Sequence, residues 1–276
     1  MSFGVKKRKT HVKLWKKYSR GKQTYKQLSQ QTRLSLSTVQ RKINEHEVES
    51  QVSHPRKVLI VMDTVYWGRG YGVMVFRDWY NRENLLWKFL EYETIFLYKA
   101  GIRELEDRGF EVVAIVADGR RGIFKAFKDI PVQMCQFHQM QIIKRYITSK
   151  PKLLAGIELK AIVDRLTRTD EPSFAGWLKD WYERWRIFLN EKTLNPVTNV
   201  NNFTHSRIRS AYLSLKHNLP YLFTCQQYPD LGIPNTTNSL DGSFGHIKDK
   251  VRVHRGLKRN RRQKLIEELL TKNVTH

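Results

Sequence analysis

Cysteine is nearly missing from this chain: its 276 residues include two, Cys135 and Cys225. Two thiols cannot build a disulfide framework, and they suit a reducing interior. Acid is scarce as well, with 26 Asp and Glu against 50 Lys and Arg, for a net charge of +24. That balance argues against cationic partners and favours polyanions, which a basic surface binds by releasing condensed counterions. Long apolar runs are also lacking. None approaches the roughly 20 residues of a membrane-spanning helix, and the basic N-terminus leads into no secretory apolar stretch. The expectation is a cytoplasmic, nucleoid-associated protein whose partner is nucleic acid and not a membrane.

The positive charge is concentrated at the ends. Residues 1–57 hold 15 Lys and Arg against 3 acids, and residues 242–276 hold 10 against 3. Most apolar runs lie between them, in a length that permits one or two domains.

The first basic segment has the grammar of a small helical unit. VKLWKKYSRG gives a short amphipathic helix with Val12, Trp15 and Tyr18 on its apolar side. Thr24 is a suitable N-cap for YKQLSQQ, Thr32 to Ser35 make a turn, and Ser35 can cap LSTVQRKINEH. Leu28, Leu34, Val39 and Ile43 supply the packing positions. This spacing predicts a helix-turn-helix over residues 1–48, its last helix entering the major groove. Ser37, Thr38, Gln40, Arg41 and Lys42 would face the DNA, and Gln40 and Arg41 have donors suited to base edges. A basic hairpin that only coats phosphate is the plainer alternative.

Residues 49–57 read as a linker ending near Pro55. The apolar run VLIVM (58–62) then ends at Asp63, and VVAIVA (112–117) ends at Asp118. Continuous runs of this kind fit central strands covered on both faces. KVLIVMDT, YGVMVFRDWY and LLWKFLEYET predict an antiparallel meander. A helix around FLYKAGIRELEDRG, the strand EVVAIVADG, a helix RRGIFKAF and a strand PVQMCQFH follow. Three antiparallel strands followed by parallel strands with helical crossovers is the pattern of an RNase H-like sheet. The expected fold class is thus α/β, with that core starting at 58–150. It is interrupted by a mainly helical insertion at 151–230 and completed by the last core helix and basic tail at 231–276. Within the insertion, Trp177, Trp181 and Trp185 share a helical face that suits core packing better than base stacking. Asn195 to Asn202 reads as a turn-rich break, and FTHSRIRSAYLSLKHNL as a helix ending before Pro220.

Asp241 lies in NTTNSLDGSFGHIK, where a turn-rich stretch becomes helical. With Asp63 and Asp118 it makes three acids at pattern switches. Taken singly, each has a plainer reading as a turn or cap residue. Taken together, they can hold Mg²⁺ (or Mn²⁺), whose hard-oxygen preference suits carboxylates. Two such ions about 4 Å apart activate the attacking oxygen and stabilise the leaving oxygen of a phosphodiester. Cys135 and His138 form a C-x2-H pair, but no second pair of soft ligands accompanies them, so zinc is not expected. Their expected role is to stabilise a strand-to-helix junction near Asp118. His11, His54, His205, His217, His246 and His254 are scattered and read as surface or core residues.

VMDTVYWG, VADGRRG, CQFHQMQIIKRY and NTTNSLDGSFGHIKDKVRVHRGL together resemble the motifs of Mutator-like DDE transposases of bacterial insertion sequences. The four occur in the family's order, and the likeness covers most of the chain. The resemblance implies that Asp63, Asp118 and Asp241 are catalytic metal ligands, and that Cys135 and His138 are the family's C-x2-H pair. It also implies double-stranded DNA as substrate, at element ends and target, and a homodimer or larger synaptic complex. In two respects the chain departs from the pattern: the family usually has Glu where Asp241 stands, and no N-terminal Cys-rich ribbon is present. The second leaves open a shorter type or a truncated copy. A catalytically decayed, purely DNA-binding descendant and a nuclease without strand transfer are the alternative functions.

Overall fold

The computed structural model describes residues 12–19, 21, 23–48, 53–254 and 257–271. Val58, Leu59, Ile60, Val61 and Met62 are all fully buried, because strand β1 (Lys57–Tyr66) is covered on both faces. It pairs antiparallel with β2 (Gly72–Asp78), which pairs antiparallel with β3 (Glu83–Leu90). On its other side β1 runs parallel to β4 (Glu111–Ala117), which is followed by parallel β5 (Val132–Met134). The result is a mixed five-stranded sheet in the order β3-β2-β1-β4-β5, within an α/β fold.

Strand alternation divides the core in two. Ile60, Met62, Met74 and Phe76 face helix α4 (Ile95–Asp107), along with Tyr98, Ile102 and Leu105. Helix and sheet approach closely at Gly101, where an added Cβ would lie 2.0 Å from the Phe76 ring. Leu59, Val61, Val73 and Val75 face the opposite layer, formed by Phe244, Ile247 and Val251 with Leu265, Ile266 and Leu269. These come from the last two helices, described below. RRGIFKAF makes only a single turn, α5 (Ile123–Ala126). The preceding Gly122, at φ 93°, and Phe127, at φ −126°, close it off at both ends.

Between β5 and the last two helices stands a helical block with its own core. Helices α6 (Gln136–Ile147), α7 (Leu154–Val163), α8 (Glu171–Asn190) and α9 (Ser206–Leu222) bury Ile143, Leu159, Phe174, Trp181 and Leu215 together. The tryptophan face serves this packing. Trp181 donates from its ring nitrogen to Ala155 O (3.0 Å), Trp185 donates to Glu158 (2.9 Å), and Arg165 lies over Trp177.

Two expectations for this block need correction. Residues 195–202 are not merely a break: β6 (Lys192–Asn195) and β7 (Val200–Phe203) form an antiparallel hairpin. The Asn195 side chain accepts from the amides of Val197 and Thr198, and Asn199 takes φ 52°. Helix α9 also continues through Pro220. Its last turn is held from outside, since the amides of Gln133 and Gln136 both donate to Leu222 O at 2.8 Å. A short helix α10 (Thr224–Gln227) follows, with the Thr224 hydroxyl donating to Val132 O. Then come α11 (Asn238–Val253) and α12 (Arg259–Thr271).

The N-terminal unit consists of α1 (12–19), α2 (Tyr25–Thr32) and α3 (Leu36–Asn44). Thr24 closes a full capping box with Gln27, and Ser35 accepts from the Thr38 amide. Leu14, Trp15, Tyr18, Leu28, Val39 and Ile43 form its core. The unit is seated on the last two helices. The Tyr18 and His254 rings lie 4.0 Å apart, His254 Nε2 is 3.0 Å from Tyr18 O, and Lys264 donates to Asn44 O at 2.8 Å. Of the expected linker, residues 49–52 lie outside the described residues, Lys57 already belongs to β1, and Arg56 is fastened to Asp78 and Glu83. No helix among the described residues is long and apolar enough to cross a membrane.

Candidate metal centre

The site is built where the two pairings of β1 stop at different places. Parallel pairing with β4 ends at Val61↔Val116, whereas antiparallel pairing with β2 continues to Tyr66↔Gly72. Asp63 is therefore not at the strand end, as the apolar run suggested, but inside β1, opposite Val75. On the β4 side it stands beyond the last pair, in the kind of crevice at the carboxyl ends of parallel strands that open α/β sheets use for ligands. Asp63 is 8% exposed, and the Thr64 amide donates to its Oδ1 at 2.7 Å.

Two helices begin beside it. β5 stops at Met134, so PVQMCQFH is not all strand: Cys135 is the cap of α6, and His138 lies in its first turn. Thr237 caps α11, and Asp241 lies in that helix's first turn. A clip joins the two starts. Gln136 N donates to Asn235 O (2.9 Å), and the Thr237 amide donates to Cys135 Sγ (3.3 Å). The Thr237 hydroxyl lies 3.3 Å from Cys135 Sγ, 3.1 Å from Asp241 Oδ2 and 3.4 Å from His138 Nδ1. With one proton, that hydroxyl donates to the thiol or the carboxylate in turn, and accepts from the imidazole. The clip thus sets the chain so that ligand atoms of Asp63, His138 and Asp241 all lie within 4.8 Å of one another.

The electrostatics are those of a site short of positive charge. Burial pushes the Asp63 carboxyl up to about 8, with Asp241 and Asp118 adding to the rise and His138 and the Thr64 amide opposing it. His138 is raised to about 9, first by its hydrogen bond with Cys135 and then by the nearby acids, against the effect of burial. Burial also pushes the Cys135 thiol up, but its bonds with His138 and Thr237 win and hold it below its ordinary value. The buried Asp63 carboxyl therefore keeps its proton at neutral pH unless a cation replaces it. Two carboxylates and an imidazole are a sound donor set for a divalent ion. The imidazole widens the choice beyond Mg²⁺ toward Mn²⁺ and other transition ions.

Asp118 stands apart from this group. The three-ligand cluster contains Asp63 and Asp241 with His138, not with Asp118. The Asp118 side chain nevertheless borders it. Its Oδ1 is buried with no hydrogen-bond partner among the described residues, its carboxyl is raised by burial, and its charge raises that of Asp63. Gly119 has more than a turn to serve, because a Cβ there would meet Met134 Cε at 2.1 Å. His138, by contrast, was expected only at a structural junction. Its position three residues into α6 from Cys135 aims it at the acids, and the C-x2-H spacing was the only available signal.

The residues expected to face DNA lie on α3. Ser37 and Arg41 are exposed, Thr38, Gln40 and Lys42 are partly buried, and Arg41 pairs with Glu45 at 2.9 Å. Thr38 is partly committed to the helix cap, since Ser35 Oγ donates to its hydroxyl. Neither the protein-family models nor the curated proteins compared with this chain give a match.

Proposed function

We propose that this chain is a DNA transposase of the Mutator-like DDE kind, with an RNase H-like core and a helix-turn-helix that binds the element's terminal repeats. The observation that carries the reading is the convergence of Asp63, His138 and Asp241 at one end of the sheet, in a chain of net charge +24. The strand order β3-β2-β1-β4-β5, with three antiparallel strands preceding two parallel ones, supports the core assignment. The capped α2–α3 pair and the exposed Ser37 and Arg41 support the DNA-reading assignment.

In this reading Asp63 and Asp241 supply oxygen ligands, His138 supplies a nitrogen, and Asp118 offers its unpartnered Oδ1 from the rim. Bound divalent cations, two in the full reaction, would activate water or a 3′-hydroxyl and neutralise charge on the scissile phosphate. Strand cleavage and strand transfer need no covalent protein–DNA intermediate, so no Ser or Tyr nucleophile is invoked. Joining two element ends to a target calls for a homodimer or larger synaptic complex. The test is metal-dependent cleavage of the DNA flanking this gene by wild type, Asp63→Asn and Asp241→Asn. Cleavage is expected only from wild type, with DNA binding kept by all three. Undiminished cleavage by either variant overturns the assignment.

A second reading, a DNA-binding protein without catalysis, draws on Asp118 lying outside the ligand group and on Asp241 standing where the family has Glu. Asp241→Glu separates the two. Cleavage gained only in that variant marks the present chain as a binder.

A further inference from the structure

Glu93 precedes Thr94, the N-cap of α4, is 13% exposed, and is none of the site residues named above. Its carboxylate has two arms. Through Oε1 it accepts a hydrogen bond from the hydroxyl of fully buried Tyr98, which also lies 3.3 Å from the Thr64 hydroxyl. Through Oε2 it pairs with Arg120 Nη1 at 3.2 Å, and Arg120 also donates to the Glu93 backbone carbonyl. Each arm ends on the residue whose backbone amide serves a site acid. The Thr64 amide donates to Asp63, and the hydrogen bond from the Arg120 amide favours the charged form of Asp118.

The geometry makes this a brace across the sheet. Successive side chains of a strand point to opposite faces, so Asp63 projects toward the α11 layer while Thr64 projects toward α4 and meets Tyr98. The residues after β4 are held by Arg120. β1 and β4 are no longer paired at this level, their last partners being Val61 and Val116. No backbone ladder fixes the spacing of Asp63 and Asp118, and the Tyr98–Glu93–Arg120 chain spans the gap.

We propose that Glu93 is a positioning residue that sets Asp118 against Asp63 through Arg120 and Tyr98, and so tunes cation binding at the candidate centre. The proposal rests on the metal-centre reading but not on DNA cleavage. The test is Mn²⁺ binding by the full chain, followed by titration of the free-ion EPR signal and by the line shape of the bound ion. Melting temperature is measured in parallel. Glu93→Gln should weaken Mn²⁺ binding by about tenfold or more, in the range typical of groups that orient ligands. Arg120→Lys, at a half-exposed position that should fold normally, should weaken it in the same direction. The double variant should be little worse than Glu93→Gln alone, because both cut the same arm. Phe174→Leu in the helical block is the control, lowering the melting temperature without changing Mn²⁺ affinity. Wild-type affinity and line shape in both Glu93→Gln and Arg120→Lys overturn the brace, as does an equal loss in Phe174→Leu. Weakened Mn²⁺ binding in a chain whose wild type cleaves no DNA supports the brace and overturns only the transposase reading.

Discussion

Two clusters of acids, each built on one buried aspartate, sit along β1 and differ in how they are balanced. At its start, Asp78 is fully buried and accepts from Arg56 Nε (3.0 Å) and Nη2 (2.9 Å), the Tyr80 amide (3.0 Å) and the Asn81 side chain (2.7 Å), while Glu83 also pairs with Arg56. Further along, Asp63 and Asp241 share one histidine, while Asp118 beside them feels the charges of that histidine, Arg120 and Arg145 only through space, and its Oδ1 has no partner among the described residues. Both clusters are acidic and both are enclosed by the same sheet. The first is saturated and ties the strand entry together; the second lacks the counter-charge that a cation supplies. Unmet charge, more than the presence of acids, distinguishes a candidate site from a structural knot.

The largest expected effect comes from breaking the saturated cluster. Arg56→Met leaves Asp78 buried without its cation and should cost about 3 kcal/mol or more of stability, read by chemical denaturation. Asp63→Asn should do the reverse. It removes a carboxyl that burial opposes, so the metal-free variant should melt higher than wild type at pH 9, while losing Mn²⁺ affinity by about 100-fold, read by calorimetry.

A pH series sharpens the contrast. The Asp63 carboxyl is raised from 3.8 to about 8, so the folded chain keeps a proton that the unfolded chain has released. That stabilising contribution is complete below the unfolded value and is lost as pH rises through about 8. His138, raised to about 9, contributes below 6.5 and loses its share as pH rises through about 9. The metal-free melting temperature should therefore fall between pH 6.5 and 9, fall less in Asp63→Asn, and fall less again with Mn²⁺ present. The smallest effect is expected at Gly242, next to Asp241, where an added Cβ meets nothing within 4 Å. Gly242→Ala should stabilise the chain by up to about 1 kcal/mol. A simultaneous loss of DNA affinity would mark that open space as part of the DNA path.

What could be read from the sequence follows how local each feature is. The caps at Thr24 and Ser35 depend on residues three positions away, so the spacing sufficed. The continuous burial of β1 was written in its apolar run, and with it the α/β class. The place of Asp63 inside β1 was not, because the end of an apolar run does not end a strand. Pro220 would stop an isolated helix, but here side chains from β5 and α6 hold the turn beyond it. Asp63 and Asp241 stood out as acids at changes of pattern. His138 did not, since its partners come from β1 and α11 and only the fold brings them within reach. Glu93 carried no signal at all: its meaning lies in Tyr98 and Arg120, which are hydrogen-bonded to it only once α4 has docked.

Helix α11 carries Asp241 in its first turn, and its C-cap, His254, is packed on the ring of Tyr18. Between them Phe244, Ile247 and Val251 rest on the sheet. At about 1.5 Å per residue the two ends are roughly 20 Å apart, and a helix of this length moves as a stiff rod. A tilt of roughly 5° about one end then displaces the other by about 2 Å, a large step beside a ligand cluster only 4.8 Å across. Mechanically, α11 is a lever arm. A load applied to the three-helix N-terminal unit has a direct, rigid path to the carboxylate of Asp241.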